Sequence, residues 1–259
     1  METPQDSSRT LHLARLTPNM LTLLGLCAGM TGMRYALDAR WELAVAFILI
    51  AACIDAMDGR LARLLKSTSN FGAQLDSLSD FMNFGVAPGF ISYLWVTHDI
   101  KAVGWALALF FAICGAIRLA RFNSELDEEK TPPWSDHYFV GIPAPAGALM
   151  ALAPLMLTFV LADYPDLAPH MVLFQKPWFV CLWLAVVALM MVSRIPTFSF
   201  KKTVVKREYA SLVLVAAGLL FILFISEPWL TLMSVGVLYT LSIPVSGMVF
   251  LKEQRKRGM

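Results

Sequence analysis

The chain has 259 residues, of which 58% are hydrophobic and 15% charged, with a mean hydropathy of +0.63 and a formal net charge of +2. A soluble domain has an apolar share of about 45–50%, so this composition excludes one and predicts an all-α, polytopic transmembrane helical bundle. The lipid bilayer is the expected surrounding, and no nucleic acid is expected as a partner.

In chain order, residues 1–16 read as a polar tail. Its Arg9 to Leu16 stretch alternates basic and apolar residues, predicting a short amphipathic helix on the inner membrane surface. No small-residue cleavage site follows the first apolar run, so the first span is expected to act as an internal insertion signal. Thr17-Pro18-Asn19 starts that span, with Pro18 in the first turn, where a missing N–H does no harm. The span ends near Leu37. Further spans are predicted from Trp41 to Leu65, Gly72 to Val96 and Lys101 to Asn123. After a polar loop from Ser124 to His137 come Tyr138 to Leu161, Pro177 to Val192, Tyr209 to Ile225 and Trp229 to Leu251, about eight spans in all. Gly85, Pro88 and Gly89 predict a kink in span three, and the prolines of Tyr138 to Ala148 an irregular entry to span five. Cys27, Cys53, Cys114 and Cys181 lie singly in apolar runs and read as buried thiols. His12, His98, His137 and His170 are scattered and form no metal-ligand pair.

With eight spans, 17 of the 21 Lys and Arg residues fall on the side of both termini and four, Arg34, Arg40, Lys101 and Lys176, on the other. The basic side is therefore expected to be cytoplasmic.

The unusual stretch runs from Ile54 to Asp80. Asp55 and Asp58 are three apart near the end of span two; Asp76 and Asp80 are four apart near the start of span three, so each pair shares a helix face. The polar residues Lys66 to Asn70 suit a turn between antiparallel helices, which brings both pairs to one depth. Four carboxylates this close repel one another unless a cation joins them, and a set of oxygen donors without His or Cys suits Mg2+, Mn2+ or Ca2+. Gly59, Ala62 and Gly72 lack bulk beside them, leaving room for a phosphate-bearing ligand. Asn19 and Thr22 are expected at the same depth, although helix capping also accounts for Asn19. Arg118 and Arg121 share a face at the end of span four, suited to holding phosphate or carboxylate oxygens or to anchoring at the membrane surface.

Asp55, Asp58-Gly59, Ala62-Arg63, Gly72, Asp76 and Asp80 occur at the spacing of the CDP-alcohol phosphotransferase signature, and the chain resembles that family with no element missing. The resemblance implies a membrane homodimer that transfers a phosphatidyl or related group from a CDP-linked donor to an alcohol, releasing CMP. It implies two divalent cations, Mg2+ or Mn2+, held by Asp55, Asp58, Asp76 and Asp80, with Asp80 also taking the acceptor's proton. It further implies that Pro18-Asn19 and Thr22 lie near the nucleotide. The pairing of Arg118 to Asn123 with Gly141 to Ala146 resembles the serine-transferring branch, for which CDP-diacylglycerol and L-serine are the expected substrates. The family core of six spans maps to residues 17–200, and residues 201–259 are expected to add two spans and a basic tail. Glycerol phosphate, inositol phosphate or choline are the alternative acceptors. A divalent-cation transporter is the alternative of another class, disfavoured because the acids cluster at one face.

Overall fold

The computed structural model describes residues 4–65, 67, 69–127, 138–164, 166, 168–198 and 209–257. Most of the polar loop before Tyr138 and the basic run 199–208 lie outside the described residues.

Helix α1 spans Pro4–Leu37 without a break. The separate surface helix expected before Thr17 is instead continuous with the first span, and Pro18 sits inside it. Proline removes one N–H, while the flanking Leu13, Ala14, Arg15, Leu16, Met20 and Leu21 are strong helix formers. α1 turns into α2, Trp41–Leu64, through Ala39 in the left-handed region at φ 54°. The Arg40 N–H closes the turn by donating to Tyr35 O at 2.9 Å, the bond that ends many helices on a left-handed residue.

Gly25, Gly29 and Gly32 are spaced to share one face of α1. Helices in lipid associate through close packing of small residues rather than by hydrophobic burial. A methyl group added at Gly32 would lie 2.8 Å from Ala44 O, and one at Gly25 3.3 Å from Ile54, so the two backbones are drawn together where the Asp55 turn begins.

α3, Asn70–Asp80, starts at an extended Ser69 whose Oγ accepts the Gly72 N–H at 3.0 Å. A cap of this kind stabilises a helix by about 1 kcal/mol and here fixes the phase of Asp76 and Asp80. The kink expected in span three is a π-helical segment, Phe81–Val86, followed by α4, Ala87–Trp95, with Pro88 in its first turn. The π segment crosses α5, Ala102–Asp127, at two glycines, where an added Cβ on Gly115 would meet Gly85 Cα at 2.9 Å.

β1, Tyr138–Val140, leads into α6, Ala144–Ala151, and α7, Ala153–Ala162, which meet at a 50° bend beside Pro154. After α8, Ala168–Phe174, comes α9, Pro177–Val192. β2, Pro196–Phe198, pairs antiparallel with β1, Phe139 opposite Thr197. This short ladder is the exception to an otherwise helical fold among the described residues. It ties the start of α6 to the end of α9. α10, Ala210–Ser226, and α11, Pro228–Arg257, complete the chain, and α10 buries no residue.

Leu16–Leu37, Ala102–Ser124 and Pro228–Val249 are long and apolar enough to cross a membrane, and the bent α6–α7 pair makes a fourth candidate. One core cluster packs Phe84, Phe111, Ile142, Leu184 and Met191; a second packs Ile48, Ile91, Leu152 and Leu155. Cys114 and Cys181 are buried as expected, whereas Cys27 and Cys53 are exposed on the outer faces of α1 and α2.

Candidate active site and metal centre

Helices α2 and α3 bring Asp55, Asp76 and Asp80 together, each half-buried, with one carboxylate oxygen from each residue within 4.8 Å of the others. Oxygens on opposite sides of one Mg2+ lie about 4.2 Å apart and around Ca2+ about 4.6–5.2 Å apart, so this spread fits a single hard cation. Asp80 Oδ1 is buried without a hydrogen-bond partner. An orphaned acceptor is costly in a protein interior, and a cation at this position satisfies it.

Asp58 stands apart from this trio. It is 4% exposed, and its Oδ2 lies 2.8 Å from Thr22 Oγ1, which is also 3.1 Å from Pro18 O. Asp58 is nevertheless within electrostatic reach of Asp55, Asp76 and Asp80. Thr22 therefore lies beside the Asp58 carboxylate. Its neighbour Asn19 faces α3, where an added methyl on Gly72 would lie 2.8 Å from Asn19 Oδ1. Gly72 is thus small because α1 packs on it. Gly59 differs, since a methyl there would meet nothing within 4 Å. It borders open space, as a ligand approach needs. Ala62 is half-buried and Arg63 exposed on the same stretch of α2.

Arg118 and Arg121 do not act as one fork. Arg118 Nε donates to Ile142 O at 3.0 Å and Arg121 Nη1 to Val192 O at 2.7 Å, so each clasps a backbone carbonyl at one end of the β1–α6 and α9–β2 connections. Each bond engages one of a guanidinium's five N–H donors. Asn123 Nδ2 donates to Ser77 Oγ at 2.9 Å, joining the end of α5 to α3 one residue from Asp76.

Ser79 and Asn83 were not singled out by the sequence pattern. Ser79 Oγ donates to Thr22 O at 3.3 Å and Asn83 Nδ2 to Ser79 Oγ at 3.2 Å, both deep in the bundle. The sequence signal that leads to them is the Gly25-x-x-x-Gly29 spacing of α1, since a methyl at Gly29 would overlap Asn83 Oδ1.

A helical membrane bundle in which three carboxylates converge from two helices beside an open glycine has the oxygen donors a hard cation takes. The CDP-alcohol phosphatidyltransferase family model matches residues 15–190, and that of CDP-alcohol phosphatidyltransferase 2 matches residues 208–244. The chain belongs to the CDP-alcohol phosphatidyltransferase family, and it is an integral membrane enzyme of a family that generally depends on divalent cations. A CDP-diacylglycerol--serine O-phosphatidyltransferase of Mycobacterium leprae is 33% identical over 244 residues, covering 93% of this chain and 78% of that protein. One of the same name from Helicobacter pylori strain 26695 is 33% identical over 207 residues, 80% of this chain and 82% of that protein. One from Saccharomyces cerevisiae is 34% identical over 153 residues, 56% of this chain and 53% of that protein.

Proposed function

We propose that the protein transfers the phosphatidyl group of CDP-diacylglycerol to the hydroxyl of L-serine, giving phosphatidylserine and CMP. The observation that carries this reading is the similarity to serine-transferring relatives along nearly the whole chain, at one third identity. The three-carboxylate cluster supports the chemistry.

Asp55, Asp58, Asp76 and Asp80 hold two divalent cations, Mg2+ or Mn2+. Such cations, when bound, neutralise a diphosphate and polarise the phosphorus under attack. Gly59, Ala62 and Arg63 border the diphosphate, Gly72 serves by letting α1 pack close to α3, and Asn19 and Thr22 lie at the nucleotide end. Asp80 takes the proton from the serine hydroxyl as its oxygen bonds to phosphorus. The bond from phosphorus to the bridging oxygen breaks, and CMP leaves with that oxygen.

Arg121 holds the carboxylate of serine with N–H groups beyond the one given to Val192 O, or Arg118 holds it in its place. Arg121→Lys is expected to raise the KM for serine more than that for the lipid, because a lysine cannot serve a carbonyl and a carboxylate in one plane. An unchanged serine KM removes this role.

The working protein is a homodimer of eight-span subunits: a tail at 1–16, a six-span catalytic core at 17–200 and two further spans with a basic tail at 201–259. The carboxylates face the cytoplasm from the cell inner membrane, as the distribution of Lys and Arg supports. Release of CMP from CDP-diacylglycerol by the purified protein tests the reaction. Serine is expected to support it, with label from radiolabelled serine entering lipid, while glycerol phosphate, inositol phosphate and choline do not. Turnover with one of those alcohols and not with serine overturns the acceptor assignment. Cation flux in proteoliposomes without CMP release overturns the reaction itself.

A further inference from the structure

We propose that Asn83, Ser79 and Thr22 form a positioning chain that holds the Asp58 carboxylate at the cation site, seated against α1 by the socket at Gly29. The proposal rests on the reading of Asp58 as a cation ligand.

Four buried residues lie in series across four elements, joined at Thr22 through its backbone carbonyl on one side and its hydroxyl on the other. Asn83 of the π segment donates from Nδ2 to Ser79 Oγ at 3.2 Å; Ser79 of α3 donates to the carbonyl of Thr22 on α1 at 3.3 Å; the Thr22 hydroxyl lies 2.8 Å from Asp58 Oδ2 on α2. Asn83 is 1% exposed, Ser79 5%, Thr22 6% and Asp58 4%. An apolar side chain at 83 would carry no polar atom to satisfy. Asn83 instead leaves its Oδ1 buried without a hydrogen-bond partner. A buried amide left half satisfied calls for an explanation, and fixing Ser79 and, through it, the α1 backbone at Thr22 supplies one. The seat is tight: any Cβ at Gly29 overlaps Asn83 Oδ1.

Ligating carboxylates are commonly oriented by hydrogen bonds from residues behind them, and removal of such a partner weakens metal binding by about 10–100-fold. Thr22 has that relation to Asp58. The hydroxyl meets Oδ2 and the Gly59 N–H also bonds the carboxylate, and together they fix its orientation within electrostatic reach of Asp55, Asp76 and Asp80.

The test is Mn2+ titration of the purified full-length protein, followed by the electron paramagnetic resonance of free Mn2+, with no substrate present. Thr22→Val, which keeps the shape and loses the hydroxyl, is expected to raise the Mn2+ Kd about 10–100-fold, and Thr22→Ser to restore it to near the wild-type value. Gly29→Ala and Asn83→Ala each weaken Mn2+ binding in the same direction. Because both act through one contact, the double variant binds no more weakly than Asn83→Ala alone. Thr22→Val with wild-type Mn2+ affinity, or losses at Gly29 and Asn83 that simply add, overturn the proposal. If Thr22→Val does not fold, the Gly29 and Asn83 cycle decides. Wild-type protein that takes up no Mn2+ overturns the cation site itself, an outcome distinct from intact binding that ignores Thr22.

Discussion

Asp80→Asn is expected to lower kcat with CDP-diacylglycerol and serine by about 10²–10⁴-fold, the range that proton transfer by a placed base contributes. The amide keeps the size and one oxygen of the carboxylate, so the lipid and serine KM values should move far less than kcat. It cannot accept the serine proton at neutral pH. Asp80 is suited to this task by its place: it is half-buried and sits in the same group as Asp55 and Asp76. Steady-state kinetics of the purified variant decide the matter, and near wild-type turnover would show that the proton goes elsewhere. Asp80→Glu is the companion variant. It restores the charge but displaces it by one methylene, and turnover between the two extremes is the expected result.

Removal of divalent cations by a chelator should reduce turnover to the background level, and Mg2+ or Mn2+ should restore it where Na+ or K+ does not. The arrangement of the donors gives the reason. Three carboxylate oxygens within 4.8 Å, with Asp58 in electrostatic reach, repel strongly in a partly buried site. The same experiment has a second readout in stability. A ligand at 100 times its Kd stabilises the folded state by about 2.7 kcal/mol, so the protein in detergent should melt at a higher temperature with Mn2+ than in chelator. Full turnover in chelator, or a melting temperature indifferent to the ion, contradicts the cation site.

The carboxylate cluster was legible in the sequence because it depends on short-range geometry. Three-residue and four-residue spacings on two adjoining helices fix which acids share a face, and a polar link as short as Lys66 to Asn70 leaves few ways to pair them. The starts of α2 and α9 at Trp41 and Pro177 were legible from the apolar runs, whereas Tyr138–Val140, read as the entry to span five, is strand β1 and the helix begins at Ala144. What could not be read depends on contacts distant in sequence. That Asp58 Oδ2 meets the Thr22 hydroxyl needs the crossing of α1 over α2. That Arg118 and Arg121 clasp carbonyls of Ile142 and Val192 needs α5, α6 and α9 in place. The continuity of α1 through Pro18 escaped because a proline weighs more in a local reading than one lost hydrogen bond weighs in a long helix.

The widened turn from Phe81 to Val86 has a consequence for the geometry beyond it. Each extra residue taken into a helical turn sets back the angular phase of all that follows by about 100°. Upstream of the slip, Asp76 and Asp80 look toward α2; downstream, Gly89 looks at Ala108 of α5, where an added Cβ would lie 3.1 Å from the carbonyl oxygen. One continuous length of chain therefore presents its acids to one neighbour and its smallest residues to another. A single-residue deletion inside the slip would put these two orientations out of step while leaving the composition of α3, α4 and α5 unchanged.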